Sequence, residues 1–365
     1  MLKIKDITTY LESIAPLSYQ ESYDNSGLLV GSAEEEVKGI LIALDVIEEV
    51  VEEAINSGCN LIIAHHPIIF KGLKKLTGSN YIERTVIKAI KNNIAIYAIH
   101  TNLDNIKNGV NFKIAEKLGL LNVQILVPKT QLLKKLVVFI PLEATQNVLK
   151  AIHHAGAGQI GNYNECSFNV EGIGSFRPTK DANPAIGQAN ELEYVKEKRV
   201  EVIYPSYLEN KILAALLKTH PYEEPAYDIL TLENSNKEVG SGVTGELAKP
   251  MSEQTFLNFL KDNMNLSSIK YTNLLGESVK KVAICGGSGS FLLKNAIQSG
   301  SQVFITSDFK YHEFFDAENK IIIADIGHYE SEVFTKELIY EYLYKKFANI
   351  ALVLTKTVTN PIRYL

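Results

Sequence analysis

The chain has 365 residues, 46% of them hydrophobic and 22% charged, the balance of an ordinary globular protein long enough for two or three domains. Its formal net charge of −5 provides no global basic field, which argues against nucleic acid as a partner. Cys59, Cys166 and Cys285 form no C-x-x-C pair, Met1 to Asp6 holds no apolar signal segment, and no run approaches a membrane span, so reduced thiols and a cytoplasmic location are expected.

In the first ~125 residues strand and helix patterns alternate, as in a parallel sheet covered by helices. Val37 to Leu44 reads as a buried strand, and Asp45 as the cap of a helix whose Val46, Val50, Val51, Ala54 and Ile55 share one face. Asn60 to Ala64 is the next strand and runs into His65-His66-Pro67. A helix around Ile82 to Asn92 leads to the strand Ile94 to Ile99, then to His100 and Asp104, and a helix after Asn105 ends near Gly119.

The middle of the chain has a different rhythm. Leu132 to Ile140 is a strand, Leu142 to Gly156 an amphipathic helix, and Gly161-Asn162-Tyr163 opens a Gly-rich stretch. Arg199 to Tyr204 (strand), Leu208 to Thr219 (helix) and Ala226 to Thr231 (strand) follow, an order that fits the split βαβ, ferredoxin-like pattern. Glu233 to Lys237 reads as a polar return linker.

The last ~125 residues repeat the opening rhythm. Lys281 to Cys285 is a strand, followed by Gly286-Gly287-Ser288-Gly289, which suits either a phosphate cradle or a tight turn. Gln302 to Thr306 leads into Asp308 and His312, and Ile321 to Ile326 into His328 and Glu332. A long helix to about Lys346 and a strand, Ile350 to Thr355, complete the pattern. Both halves thus place histidine or acid after their second and third strands, which predicts a pseudo-duplicated architecture around one site.

Five of the eight histidines stand at these strand ends with carboxylates beside them, a donor set suited to divalent Zn, Mn or Fe. His65 and His66 reach one site only if the strand ends there, as Pro67 suggests. His328 and Glu332 are neighbours on one helical turn, and Asp104 and Glu332 are candidates to bridge two cations. His153, His154 and His220 lie elsewhere, and Tyr23-Asp24-Asn25-Ser26-Gly27 reads as turn chemistry.

Together these fragments resemble the GTP cyclohydrolase 1 type 2 homologues, or Nif-three-like proteins. The matches are Asp24-Asn25-x-Gly27-x-x-x-Gly31, His65-His66-Pro67, His100-Thr101-Asn102-x-Asp104, the Gly286–Gly289 run and Gly327-His328-x-x-x-Glu332. Gly161-x-Tyr163-x-x-Cys166, Phe176-Arg177-Pro178 and His220 to Pro225 resemble the PII/CutA-like insertion of longer bacterial members. Tyr23 stands where Trp is usual, and Ser307 where Gly commonly precedes the acid.

The resemblance implies a discontinuous dimetal-binding α/β domain over residues 1–128 and 238–365, interrupted by an α+β insertion over 129–237. It implies two divalent ions per subunit held by His65, His66, Asp104, His328 and Glu332, and a homohexamer. The implied reaction is hydrolytic opening of the purine ring of GTP, a small-molecule substrate, to dihydroneopterin triphosphate and formate. His100 and His312 are then the expected proton carriers, with Asp308 orienting one of them. The alternative is a non-enzymatic metal-binding regulatory or scaffold protein.

Overall fold

The computed structural model describes residues 2–365. These form β1 (Gly27–Val30), β2 (Ile40–Ala43), β3 (Leu61–Ala64), β4 (Ala95–Ala98), β5 (Leu121–Lys129), β6 (Leu133–Pro141), β7 (Phe168–Phe176) and β8 (Glu193–Pro205). They continue with β9 (Tyr227–Leu232), β10 (Asn236–Ser252), β11 (Lys270–Tyr271), β12 (Ser278–Ser288), β13 (Val303–Ser307), β14 (Ile322–Asp325) and β15 (Leu352–Leu354). The chain divides into two compact units, Met1–Pro128 with Lys237–Leu365, and Lys129–Asn236. Among the described residues no helix is long and apolar enough to cross a membrane.

The first unit carries two mixed sheets, ordered β1-β4-β3-β2-β15 and β11-β14-β13-β12-β10-β5. In one, β2, β3 and β4 run parallel and β1 closes against β4 antiparallel. In the other, β12, β13 and β14 run parallel and β11 closes against β14 antiparallel. Every residue of β2, β3, β4, β13 and β14 is buried. Burial on both faces explains why these segments are unbroken apolar runs rather than alternating ones.

Helices Glu48–Asn56 and Tyr81–Lys91 cover one sheet face, packing Val50, Val51, Ala54, Val86 and Ala89 against Leu41, Ile62 and Ile96. Parallel registry brings the carboxyl ends of neighbouring strands level, so that Ala64 pairs with Ala98 and Thr306 with Asp325. The residues that follow these ends, His65, His66, His100, Asp308 and His328, therefore leave their sheets at corresponding edges.

The second unit holds one antiparallel sheet, ordered β7-β8-β6-β9. Helices Thr145–His154 and Glu209–Thr219 pack on it, with Val148, Ile152, Ile212 and Leu216 against Leu136, Val138, Val200 and Val202.

Several expectations change in detail. Asp45 does not cap its helix, whose N-cap is Ile47 without a side-chain bond; the carboxylate turns instead to His66. Gly286 to Ser288 belong to β12 rather than to a strand–helix turn, the helix expected after Asn105 runs over Val110–Lys117, and a separate short helix, Thr101–Asp104, precedes it. The expected linker ends early, since β10 starts at Asn236.

Candidate metal centre

The chain turns off β3 at once, and the His65 and His66 rings both enter one cluster, their centroids 4.9 Å apart. His100 joins them at 5.2 and 5.3 Å, and His328 lies 5.2 Å from His66. The short helix Thr101–Asp104 carries Asp104 towards His65, whose Nε2 is 3.5 Å from Oδ1. The helix His328–Glu332 places its two end side chains on one face, with Nε2 of His328 3.1 Å from Oε2 of Glu332. That carboxylate also reaches His66 Nε2 at 2.9 Å and His65 Nε2 at 3.9 Å.

Each of the four rings has its other nitrogen occupied. Nδ1 of His65 meets the Ile99 carbonyl at 2.8 Å, His66 meets Asp45 at 2.7 Å, His100 meets Asp24 at 2.8 Å and His328 meets Asp308 at 2.6 Å. A carbonyl oxygen can only accept, so His65 carries its proton on Nδ1 and presents an Nε2 lone pair inward; the carboxylates likewise accept from Nδ1 of the other rings. Imidazoles held from behind in this way are the usual form of a metal-ligating histidine.

Two buried polar atoms in the cluster, His65 Nε2 and Asp104 Oδ1, have no hydrogen-bond partner. Burying such groups unpaired is costly, and a cation would satisfy both. Three groups, His65–His66–His100, His66–His328–Glu332 and His65–Asp104–Glu332, each bring their ligand atoms within 4.8 Å of one another. The residues present therefore fit a bound metal ion.

The electrostatics of the cluster agree. Burial disfavours charge on His66 and His328, yet hydrogen bonds to Asp45 and Glu332, and to Asp308 and Glu332, push them up to about 10 and about 11. Burial and repulsion from Glu332 raise Asp104, whereas the surrounding imidazoles hold the buried Glu332 well below the usual carboxylate range. A cation would compete with protons for the same nitrogens. The thiol of Cys285 is driven up by burial and by the two carboxylates.

Supporting residues are built in closely. Asp24 is fixed by Thr101 N–H and hydroxyl and by Ser26 hydroxyl. The glycine run of β12 allows that strand to pass beside Glu332: a Cβ on Gly287, at φ +63°, would lie 2.4 Å from Oε1. Ser331 hydroxyl and Asn111 Oδ1 accept the N–H groups of Gly287 and Gly286 and hold the strand there.

Of the residues singled out in the sequence, His65, His66, Asp104, His328 and Glu332 meet in this cluster. His100 is there too, among groups able to hold an ion. Asp308 binds His328 rather than His100 or His312. His312 is exposed, lies against Tyr311 and Phe315, and does not line the cleft. Sequence reasoning missed the orienting roles of Asp24 and Asp45; the available signal was a carboxylate in a turn, which looks the same as a cap.

A cleft of about 750 Å³ opens over the cluster, with Tyr23, Phe70, Tyr81 and Phe291 among its apolar lining and no Lys or Arg. One wall is the segment Thr359 to Ile362. Glu53 pins the chain leading to it by accepting the Lys356 and Thr357 N–H groups, and the Thr359 hydroxyl bonds Asp45.

Fold and site together define a mixed α/β protein with histidine and carboxylate groups able to hold a metal ion. A family model described as Duf34/NIF3 (NGG1p interacting factor 3) matches residues 2–361, and the chain belongs to this family. It is 38% identical to a Bacillus subtilis protein called GTP cyclohydrolase 1 type 2 homolog, over 99% of this chain and 98% of that one. A Staphylococcus epidermidis protein of the same name is 36% identical over the whole of both chains. Among solved structures, a Bacillus cereus protein related to NIF3 superposes with a TM-score of 0.86 at 38% identity, covering 100% of this chain and 99% of that one. A Staphylococcus aureus structure gives 0.80 at 32% identity, covering 100% and 99%.

Proposed function

We propose that this chain is a metal-dependent hydrolase of a small molecule, with His65, His66, Asp104, His328 and Glu332 as ligands of two divalent cations. The observation that carries this reading is the set of four imidazoles, each anchored at Nδ1, three of which turn Nε2 towards Asp104 or Glu332, beneath an open cleft. Zn, Mn and Fe match this donor set. When bound, such ions supply Lewis-acid polarisation and lower the pKa of water towards neutrality.

The chain's own residues divide the remaining tasks. Asp45 and Asp308 orient His66 and His328, and Asp24 steadies His100, which is placed to accept or return a proton at Nε2. Tyr23, Phe70 and Phe291 give a flat substrate apolar contact and exclude water around it.

Within this class, the relatives carry the name GTP cyclohydrolase 1 type 2 homolog, and the reaction the resemblance implies is opening of the purine ring of GTP with loss of formate. The aromatic lining suits a purine, but the cleft offers no Lys or Arg to a triphosphate. That favours recognition through the ring. Metal-reconstituted protein assayed with GTP, guanosine, phosphoesters and cyclic amides tests the reading. Comparable turnover of GTP and guanosine is expected, and no turnover of any of them by fully loaded protein leaves a non-enzymatic metal-binding scaffold instead. Elemental analysis should find about two ions per subunit, and Asp104→Ala should lose more than one if this carboxylate bridges.

We further infer a pseudo-duplicated α/β domain over 1–128 and 238–365, supported by the matched order of three parallel strands closed by an antiparallel edge strand in each sheet. The antiparallel order β7-β8-β6-β9 with two helices supports a ferredoxin-like insertion over 129–237. A homohexamer in the cytoplasm completes the proposal, and sedimentation of the purified chain tests its assembly state.

A further inference from the structure

The second unit contains a cavity of about 350 Å³ that the proposed hydrolase site does not use, a size within the usual range for small-molecule pockets. Phe139, Phe176, Pro178 and Pro184 give it apolar walls, and Glu197, Glu223 and Glu224 are its acidic groups; no Lys or Arg lines it. The loop after β7 forms one side and the turn Tyr222 to Glu224 another, joined where Asn183 N–H donates to Glu223 at 2.9 Å. Asn190 N–H closes the loop on the Pro178 carbonyl at 2.7 Å.

Glu197 is the unusual member. Only 8% of it is exposed, and its one hydrogen bond to a side chain comes from Tyr222 hydroxyl to Oε1 at 2.9 Å. No Lys or Arg pairs with it among the described residues. The neighbouring His220 cannot neutralise it: its Nδ1 accepts from Tyr222 N–H and its Nε2 donates to the Phe139 carbonyl. Burial also lowers the pKa of that imidazole, which keeps it neutral. The other oxygen, Oε2, lies over Gly174, where an added Cβ would be only 2.1 Å away. A glycine within β7 makes the strand a poorer strand former; here it leaves room for a carboxylate. A nearly buried carboxylate without a cation, beside an apolar cavity, is unfavourable until something positive fills the cavity.

We propose that this cavity binds a small organic cation, one ammonium or amidinium group on an apolar body. The charged group meets Glu197, and the body lies against Phe176 and Tyr222, which both line the cavity with their rings 5.7 Å apart. Binding here is independent of metal in the first unit and of whether that site is catalytic.

The test uses the full chain, with and without added metal, and benzamidine as the probe, with benzamide as its neutral counterpart of the same shape. Calorimetric titration should show benzamidine binding at least about tenfold more tightly than benzamide, the least expected of a hydrogen bond to a charged group. Glu197→Gln, which keeps shape and loses charge, should abolish that preference. Tyr222→Phe, which frees the second carboxylate oxygen, should retain it. Equal binding of the two probes, absence of saturable benzamidine binding, a preference that survives Glu197→Gln, or loss of it in Tyr222→Phe would each overturn the proposal. Melting curves of both variants verify that they fold, and a folded Tyr222→Phe protein decides the matter even if Glu197→Gln does not fold.

Discussion

The Nε2 atoms of His66 and His328 lie 3.3 Å apart and face the same oxygen of Glu332. The two rings come from different sheets, and each is held from behind by its own carboxylate, Asp45 or Asp308. Two N–H groups cannot point at each other at that distance without repulsion. An ion taken up here would relieve it and displace protons, so metal uptake should release acid into a weakly buffered solution.

The orienting carboxylates should matter nearly as much as the ligands. Asp45→Asn is expected to weaken metal affinity about ten- to a hundredfold without changing the circular dichroism spectrum. Competition against a chromophoric chelator measures this, and parental affinity in the variant would remove Asp45 from the site.

Gly287 and Gly58 provide a matched pair. Both have positive φ, +63° and +69°, but only at Gly287 would a Cβ strike Glu332; at Gly58 nothing lies within 4 Å. Each alanine substitution should cost about 1–2 kcal/mol of stability from backbone strain. Gly287→Ala alone should also lose metal. Equal metal content in the two variants would mean that Glu332 is not a ligand or that it moves aside freely.

His312 and His328 separate in a similar way. His328→Ala should reduce metal occupancy, because its Nε2 faces the cluster. His312→Ala should keep full occupancy and, on any substrate the protein turns over, change the rate less than about tenfold, below the usual size of general acid–base catalysis. A loss of 10²-fold or more would restore His312 as a proton carrier and require it to reach a cleft outside its own surroundings.

The loop carrying Phe70 to the cleft should loosen in acid. Glu83 accepts the N–H and hydroxyl groups of Thr77 and Ser79, and bonds from those backbone N–H groups lower its pKa from 4.5 to about 2. A depressed carboxyl contributes stability that is complete above the unfolded value and is lost as pH falls through the folded one. The melting-temperature gap between the parent protein and Glu83→Gln should therefore be constant above about pH 5 and close progressively from there towards pH 2. A gap that persists at pH 2 would assign the effect to packing instead.

How far the sequence could be read depended on whether the signal was local. The strand ends at Ala64, Ala98 and Asp325 were legible because apolar runs buried on both faces stop abruptly at polar residues. Both β7 and β10 were not, because Gly172, Gly174, Gly240, Gly242 and Gly245 read as loop punctuation. Close approach explains several of them: a Cβ on Gly240 would lie 2.1 Å from the Val127 carbonyl oxygen. The spacing of Asp308 and His312 imitates that of His100 and Asp104. Asp308, however, has φ +60°, so the chain leaves helical geometry there and the two side chains separate. Asp24 and Asp45 find their partners 76 and 21 residues away, which no local pattern reports.

His66 and Glu332 are separated by 266 positions in the chain, and the intervening residues include the whole second unit. An ion joining them works as a removable cross-link that closes a very long loop, the kind of restraint that most restricts an unfolded polypeptide. The two segments that flank the second unit each supply part of the proposed ligand set. Produced as separate polypeptides, they would already meet through strands that share both sheets, β15 beside β2 and β5 beside β10, and the metal would tighten that association by an amount a chelator takes away.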